Sequence, residues 1–312
     1  MTGAAPFHAD LAEGPEGGHA VWLRTHDGVR IRLGIWPAGP KGRVLIFPGR
    51  TEYIEKYGRV AQDLAQAGYG SVAVDWRGQG LADRLTPDPM LGHVGRFSDY
   101  QHDVAAVLAH LDAAEPGMPR FLLAHSMGGC IGLRALVDGR IAPRAAAFSA
   151  PMWGIRFSPG MRQIARLMSG AARLTGRGQQ YTPSTRSESH ILATPFADNF
   201  LTGDEAAYAW MQAHLHKVPA LGLGGPGLHW LGLAIAEGRA LEGAPLPDLP
   251  VLCLLGSRES IVDPAAIHRL AARWPSARLQ MLNGAAHELL MEQKALRDAA
   301  LQSVLDLFDS AA

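Results

Sequence analysis

The stretch RFLLAHSMGGCIGLRALVDG, residues 120–139, joins two patterns of different period. RFLLAH is a short apolar run of strand length, and GGCIGLRALVDG returns apolar residues at helical spacing before stopping at Gly139. Ser126 sits where the strand gives way to the helix. A side chain on such a turn stands at the C-terminal edge of a sheet, beside the positive end of a helix. Small residues must flank it at minus two and plus two, because the chain nearly touches itself there; Ala124 and Gly128 hold those positions. Taken alone the pattern is weak, since a chain with 36 glycines meets it by chance. Its context, a strand before and a helix after, gives it weight.

Working outward, strand and helix signals alternate. VWLRT and VRIRLGIW alternate in polarity about Asp27-Gly28, which predicts a hairpin over 20–36. RVLIF (43–47) and YGSVAVD (69–75) read as strands, with a helix between them over 51–68. A helix from Ser98 carries the stripe Val104, Val107, Leu108 and Leu111. After PRAAAFSA (143–150), a strand, the alternation stops: residues 155–247 read as helical pieces broken by glycine and proline. It resumes with PVLCLLG (250–256), a helix from Asp263, RLQML (278–282) and a last helix from about Glu288 to Phe308. Near-continuous apolar strands alternating with helices predict an α/β fold: a mostly parallel sheet of about eight strands covered on both faces. The expected organisation is a core of 1–154 and 248–312 interrupted by a helical cap, 155–247.

Composition narrows the function classes. Of 312 residues 47% are apolar and 19% charged, enough for a large core. Lys+Arg and Asp+Glu both total 29, so the chain carries no basic surplus for nucleic acid and no acidic tail. Two cysteines make no disulfide framework, and Cys130 and Cys253 read as small core residues. No HExxH or CxxC spacing is present, so neither a metal nor another cofactor is expected. The first residues lack a basic segment followed by an apolar one, and are not expected to be a signal peptide. The longest uncharged run, Val218–Ala236, has 19 residues but includes five glycines and two prolines, unlike a membrane-spanning helix. These features predict a cytoplasmic protein without a transmembrane segment, and leave room for peripheral contact with a membrane.

Serine is a poor nucleophile until an imidazole takes its proton, and the imidazole needs a carboxylate to fix its tautomer. Both have candidates in the chain order nucleophile, acid, base. Glu259 in GSRES follows the strand 250–256, and His287 in LNGAAHELL follows the strand 278–282. Both therefore project from the same sheet edge as Ser126. Asp263 is a rival acid, but Pro264 and the stripe Ile267, Leu270, Ala271 explain it as a helix N-cap. The loop Phe47-Pro48-Gly49-Arg50-Thr51 follows another strand, and the backbone N–H groups of Arg50 and Met127 are the natural pair to hold an oxyanion.

The motifs PGRTEYIEKY, DWRGQGLADR, GHVGRFSDYQHDV, AHSMGG, FSAPMWGI, GSRESIVDP and GAAHELLME, in this order, resemble the α/β-hydrolase superfamily. The nearest branch is that of bacterial lysophospholipases, monoacylglycerol lipases and serine aminopeptidase-like hydrolases. The similarity runs from about residue 25 to 309. It implies a Ser126–Glu259–His287 triad, an oxyanion hole from Arg50 and Met127, and structural roles for Asp75 and Arg77. Three positions depart from the pattern. Pro48-Gly49 stands where the family commonly has His-Gly, and Ala124 replaces the first glycine of the elbow. Glu259 stands where most relatives carry Asp. The extra methyl of Ala124 is expected to be accommodated against Gly129.

Specificity should reside in the cap. Leu221, Leu223, Leu228, Trp230, Leu231, Leu233 and Ile235 offer an apolar surface suited to an acyl chain or to the cap's own core, with Trp230 and Leu231 as the chosen substrate contacts. The resemblance implies hydrolysis of single-acyl lipid esters. The alternatives are an aminopeptidase-like or general small-ester hydrolase, or a non-catalytic binding relative. An aminopeptidase would need an acidic group to hold a free amine. Glu188, Asp198, Asp204 and Glu205 are available, though each reads more simply as a solvated surface carboxylate.

Overall fold

The computed structural model describes residues 3–158, 160–183 and 185–312. Its nine strands are β1 (Gly3–Ala5), β2 (His19–Arg24), β3 (Arg30–Ile35), β4 (Gly42–Phe47), β5 (Tyr69–Asp75), β6 (Arg120–His125), β7 (Ala146–Ser149), β8 (Val251–Gly256) and β9 (Ala277–Leu282). They form one sheet in the order β1-β2-β3-β5-β4-β6-β7-β8-β9. From β5 to β9 every neighbouring pair is parallel, while β1, β2 and β3 join antiparallel. The expected eight strands become nine because Gly3–Ala5 pairs with Ala20–Trp22, a segment too short to carry a periodic signal. β4, β5 and β8 are buried along their whole length, as strands covered on both faces must be.

The strand order sets the position of the site. The chain runs from β4 to β5 on one side, then crosses back to β6 on the other, so the C-terminal ends of β4 and β6 lie side by side. In register, Phe47 faces Ala124 and His125 faces Ser149, which lines up the loops that follow β4, β6 and β7. This is the switch point at which open α/β sheets form their clefts.

Two expected helices begin later than their periodicity suggests. The one expected over 51–68 opens with a 3₁₀ turn, Ile54–Tyr57, and becomes α-helical over Gly58–Gln66, because Thr51 has φ 70° and belongs to a loop. Gly58 is needed inside it: a Cβ there would lie 1.9 Å from the Ala12 carbonyl oxygen. The last helix, expected from about Glu288, is a 3₁₀ turn Leu289–Met291 followed by an α-helix over Lys294–Ser310. Glu288 and Glu292 break it by turning inward, Glu288 to Lys56 and Glu292 to the backbone N–H groups of Ala286 and Gly203. A periodicity of apolar residues cannot reveal such buried acceptors.

Between β7 and β8 the described residues form the helices Met161–Leu174, His190–Ala193, Glu205–Lys217 and Leu228–Glu242, with no strand among them. The first and last pack together so closely that a Cβ on Gly232 would lie 2.8 Å from Ser169 Cβ. Among the described residues no helix is long and apolar enough to cross a membrane.

Candidate active site

The turn after β6 holds Ser126 in an uncommon backbone state, φ 49° and ψ −116°. Its N–H donates to Ser149 O (3.1 Å), and its own carbonyl accepts from the N–H groups of Gly129 (2.9 Å) and Met152 (2.8 Å). Those bonds over-determine the turn and keep its strain in place. Thr51 (φ 70°) and Ala150 (φ 43°) are strained in the same sense, and they stand in the loops after β4 and β7. The residue two positions beyond the serine has no room for a side chain: a Cβ on Gly128 would lie 2.0 Å from Phe47 O. The methyl of Ala124 faces Gly132, not Gly129 as expected, because Gly129 backs onto Pro151. A Cβ on Gly132 would stand 3.5 Å from that methyl, so the site tolerates alanine two positions before the serine.

Glu259 and His287 arrive from the ends of β8 and β9. The two loops are bound to each other: Arg258 N–H donates to Ala285 O (2.9 Å), and a Cβ on Gly256 would lie 2.4 Å from the carbonyl oxygens of Ala285 and Ala286. The result is a continuous chain of hydrogen bonds. Ser126 Oγ donates to His287 Nε2 at 3.0 Å, and His287 Nδ1 donates to Glu259 Oε2 at 2.7 Å. The other oxygen of Glu259 accepts from the N–H groups of Ile261 (2.7 Å) and Val262 (3.0 Å). Burial alone would raise this carboxyl, but the bond and charge of His287 and these two N–H groups outweigh it and hold the group below the usual carboxylate range. Asp263 stands apart from His287. It caps the helix Pro264–Ala272 through Ala265 N–H (3.1 Å) and pairs with Arg162 (2.7 Å).

The loop after β4 lies against the serine, since a Cβ on Gly49 would be 3.1 Å from Ser126 Cβ. The backbone N–H groups of Arg50 and Met127 have no protein acceptor among the described residues. Glu52 holds this loop in place, and the sequence reading passed over it. One of its carboxylate oxygens accepts from Gly49 N–H and from Tyr57 OH (2.7 Å), and the other from Lys56 Nζ (2.6 Å). Lys56 also reaches Glu288 at 2.6 Å. Nothing in the helical period over 51–68 distinguishes Glu52, three residues after Gly49. His125 Nδ1 donates to Ser149 O (3.0 Å), and burial pushes this imidazole below its ordinary range. Glu52, His125 and Glu288 resemble a metal-ligand cluster in composition, but Lys56 Nζ occupies the place a cation would take between the two carboxylates. Asp75 and Arg77 are taken up in structure. Asp75 accepts from Ile54 N–H (2.8 Å), Leu81 N–H (2.7 Å) and Arg32 Nε (2.7 Å), while Arg77 pairs with Asp103 and Asp27.

Ser126 and His287 open on a cavity of about 580 Å³. The apolar run 221–235 does not line it as a unit. Leu223, Trp230 and Leu231 border the cavity, whereas Leu233 and Ile235 border a separate cleft between the helices Met161–Leu174 and Leu228–Glu242. Leu221 packs with Tyr53, Tyr208 and Met211. An α-helix distributes side chains at 100° intervals, so one sequence run serves three environments. Trp230 is buried, and its Nε1 donates to Tyr100 OH at 3.1 Å.

Known proteins place this architecture. The family described as serine aminopeptidase, S33, matches residues 38–294. Lysophospholipase L2 of Escherichia coli (strain K12) is 36% identical over 280 residues, covering 85% of this chain and 80% of that one. The probable lysophospholipase L2 of Haemophilus influenzae is 30% identical, covering 84% and 82%. Among solved structures, a soluble variant of monoglyceride lipase from Saccharomyces cerevisiae superposes with a TM-score of 0.73 at 20% identity, covering 93% of this chain and 94% of that one. With this fold, and with a family match across most of its length, the chain belongs to the serine aminopeptidase S33 family of α/β-hydrolases.

Proposed function

We propose that the protein is a serine carboxylic ester hydrolase acting on single-acyl lipids. The observation that carries the reading is the hydrogen-bonded chain Ser126–His287–Glu259 opening on a partly apolar cavity. Ser126 Oγ attacks the ester carbonyl as His287 Nε2 takes its proton, and Glu259 stabilises the resulting imidazolium. The N–H groups of Arg50 and Met127 hold the oxyanion. Collapse expels the alcohol, which receives the proton from His287. Water, deprotonated by the same imidazole, then releases the fatty acid and restores Ser126. Lysophospholipase and monoglyceride lipase relatives support the substrate class.

The aminopeptidase alternative turns on the carboxylates considered for a free amine. Asp204 caps the helix Glu205–Lys217 through Ala207 N–H (2.9 Å), and Glu188 is exposed at the cavity edge. A panel of lysophospholipids, monoacylglycerols, p-nitrophenyl esters and aminoacyl anilides tests the assignment. Turnover of the first three classes with fluorophosphonate labelling of Ser126 is expected, and turnover of the anilides alone would refute it.

The helix Met161–Leu174 supports contact with aggregated substrate. Ala165, Ser169 and Ala172 face inward, while Leu167 (74% exposed) and Leu174 (85%) point outward, and Met161, Ile164 and Met168 are also exposed. Paired Leu167→Glu and Leu174→Glu substitutions are expected to reduce co-sedimentation with phosphatidylglycerol-containing vesicles while sparing hydrolysis of a soluble p-nitrophenyl ester. Unchanged sedimentation would remove this helix from the lipid contact.

A further inference from the structure

The side chain of Arg50 differs from those of the three arginines buried in the core. Arg32 is paired with Asp75 and Glu55, Arg43 with Glu115, and Arg77 with Asp103 and Asp27. Arg50 has no carboxylate partner among the described residues. It donates one bond, from Nη1 to Gly224 O at 2.9 Å, and its guanidinium lies over the Trp230 ring, 5.6 Å from the centroid. It borders the same cavity as Ser126 and His287, and its backbone N–H is the proposed oxyanion donor.

We infer that the Arg50 guanidinium receives an anionic head group, and that the preferred single-acyl lipid carries a phosphodiester, as a lysophospholipid does and a monoacylglycerol does not. This rests on the ester-hydrolase reading above and adds the head group to it. Arg50 is half-buried, and a partly desolvated guanidinium without a counter-ion leaves a charge that a bound anion would neutralise. Burial lowers its pKa to about 10, which still leaves it charged at neutral pH. None of the carboxylates bordering the cavity is paired with it: Glu52 and Glu288 are bridged by Lys56, and Glu188, exposed at the cavity edge, forms no ion pair with Arg50 among the described residues. The planar donor fork matches phosphate oxygens, and the Trp230 ring beside it adds a cation–π attraction. The geometry suits the substrate too. A glycerol unit separates the scissile ester from the phosphate, while the short span of one residue separates the Arg50 N–H from its guanidinium.

The test compares kcat/KM for a lysophosphatidylethanolamine and a monoacylglycerol of equal acyl chain in the wild type, Arg50→Gln and Arg50→Lys. Loss of a charge-assisted bond predicts that Arg50→Gln lowers the lysophospholipid-to-monoacylglycerol ratio by about 10- to 100-fold, with partial recovery in Arg50→Lys. A ratio unchanged in Arg50→Gln, whether both activities fall together or neither does, overturns the inference and leaves Arg50 a tie to Gly224. A second measurement needs no variant: in wild-type hydrolysis of p-nitrophenyl acetate, glycerol 3-phosphate should compete at concentrations where glycerol does not. Equal competition by the two overturns the anion site. A wild type that hydrolyses the p-nitrophenyl ester but neither lipid instead refutes the substrate class, while the competition still reports on Arg50.

Discussion

Ser126→Ala is expected to abolish turnover, lowering kcat by about 10⁴–10⁶-fold, because the hydroxyl bonded to His287 is the proposed nucleophile. The fold should be unaffected. Alanine keeps the Cβ and the backbone bonds to Ser149, Gly129 and Met152 that hold the turn at φ 49°. The thermal midpoint should therefore stay within a few degrees of the wild type while fluorophosphonate labelling disappears. Residual activity of more than a few per cent, measured on a p-nitrophenyl ester, would mean that another group is the nucleophile.

The choice of acid predicts the second large effect. Glu259→Gln should reduce kcat by about 10³–10⁴-fold, since an amide neither stabilises an imidazolium nor enforces the tautomer with the proton on Nδ1. Asp263→Asn keeps a good capping side chain before Pro264, so it should cost under about 1 kcal/mol of stability and leave most activity in place. The structure explains the expected contrast. Glu259 spends one oxygen on His287 and the other on two backbone N–H groups, whereas Asp263 spends its oxygens on Ala265 N–H and Arg162. Assaying both variants on one ester decides the matter, and an inactive Asp263→Asn beside an active Glu259→Gln would reverse the assignment.

The geometry at residue 259 suits a glutamate in the proposed role of acid. Its longer side chain bonds the backbone of Ile261 and Val262 ahead of it and still meets His287 behind it. The loop is steadied from outside, where Arg156 donates to the Glu259 carbonyl at 2.5 Å. A carboxyl fastened on both oxygens cannot swing away from the imidazole, which is the condition for orienting it.

By itself the sequence determined what depends on local order and period: the parallel sheet, the turn at Ser126, the order of Ser126, Glu259 and His287 along the chain, and the helical stretch between β7 and β8. Apolar strands alternating with helices force parallel pairing, and parallel pairing puts every loop after a strand on one edge. Asp263 was readable as a cap because Pro264 follows it directly. Tertiary structure alone decided what depends on partners far away in the chain. Glu52 and Lys56 carried no signal of their own, and take their role because the fold brings Glu288, 232 residues beyond Lys56, within reach. The run 221–235 read as one apolar surface until packing divided it among the cavity, a second cleft and a satellite core. The Arg50 side chain had no reading at all. Its backbone place follows from the loop after β4, but its guanidinium meets Gly224, 174 residues away, only once the insertion folds over the sheet edge. Period and spacing encode the direction a side chain leaves the backbone, whereas the charge it meets, or fails to meet, is set by where distant segments come to rest.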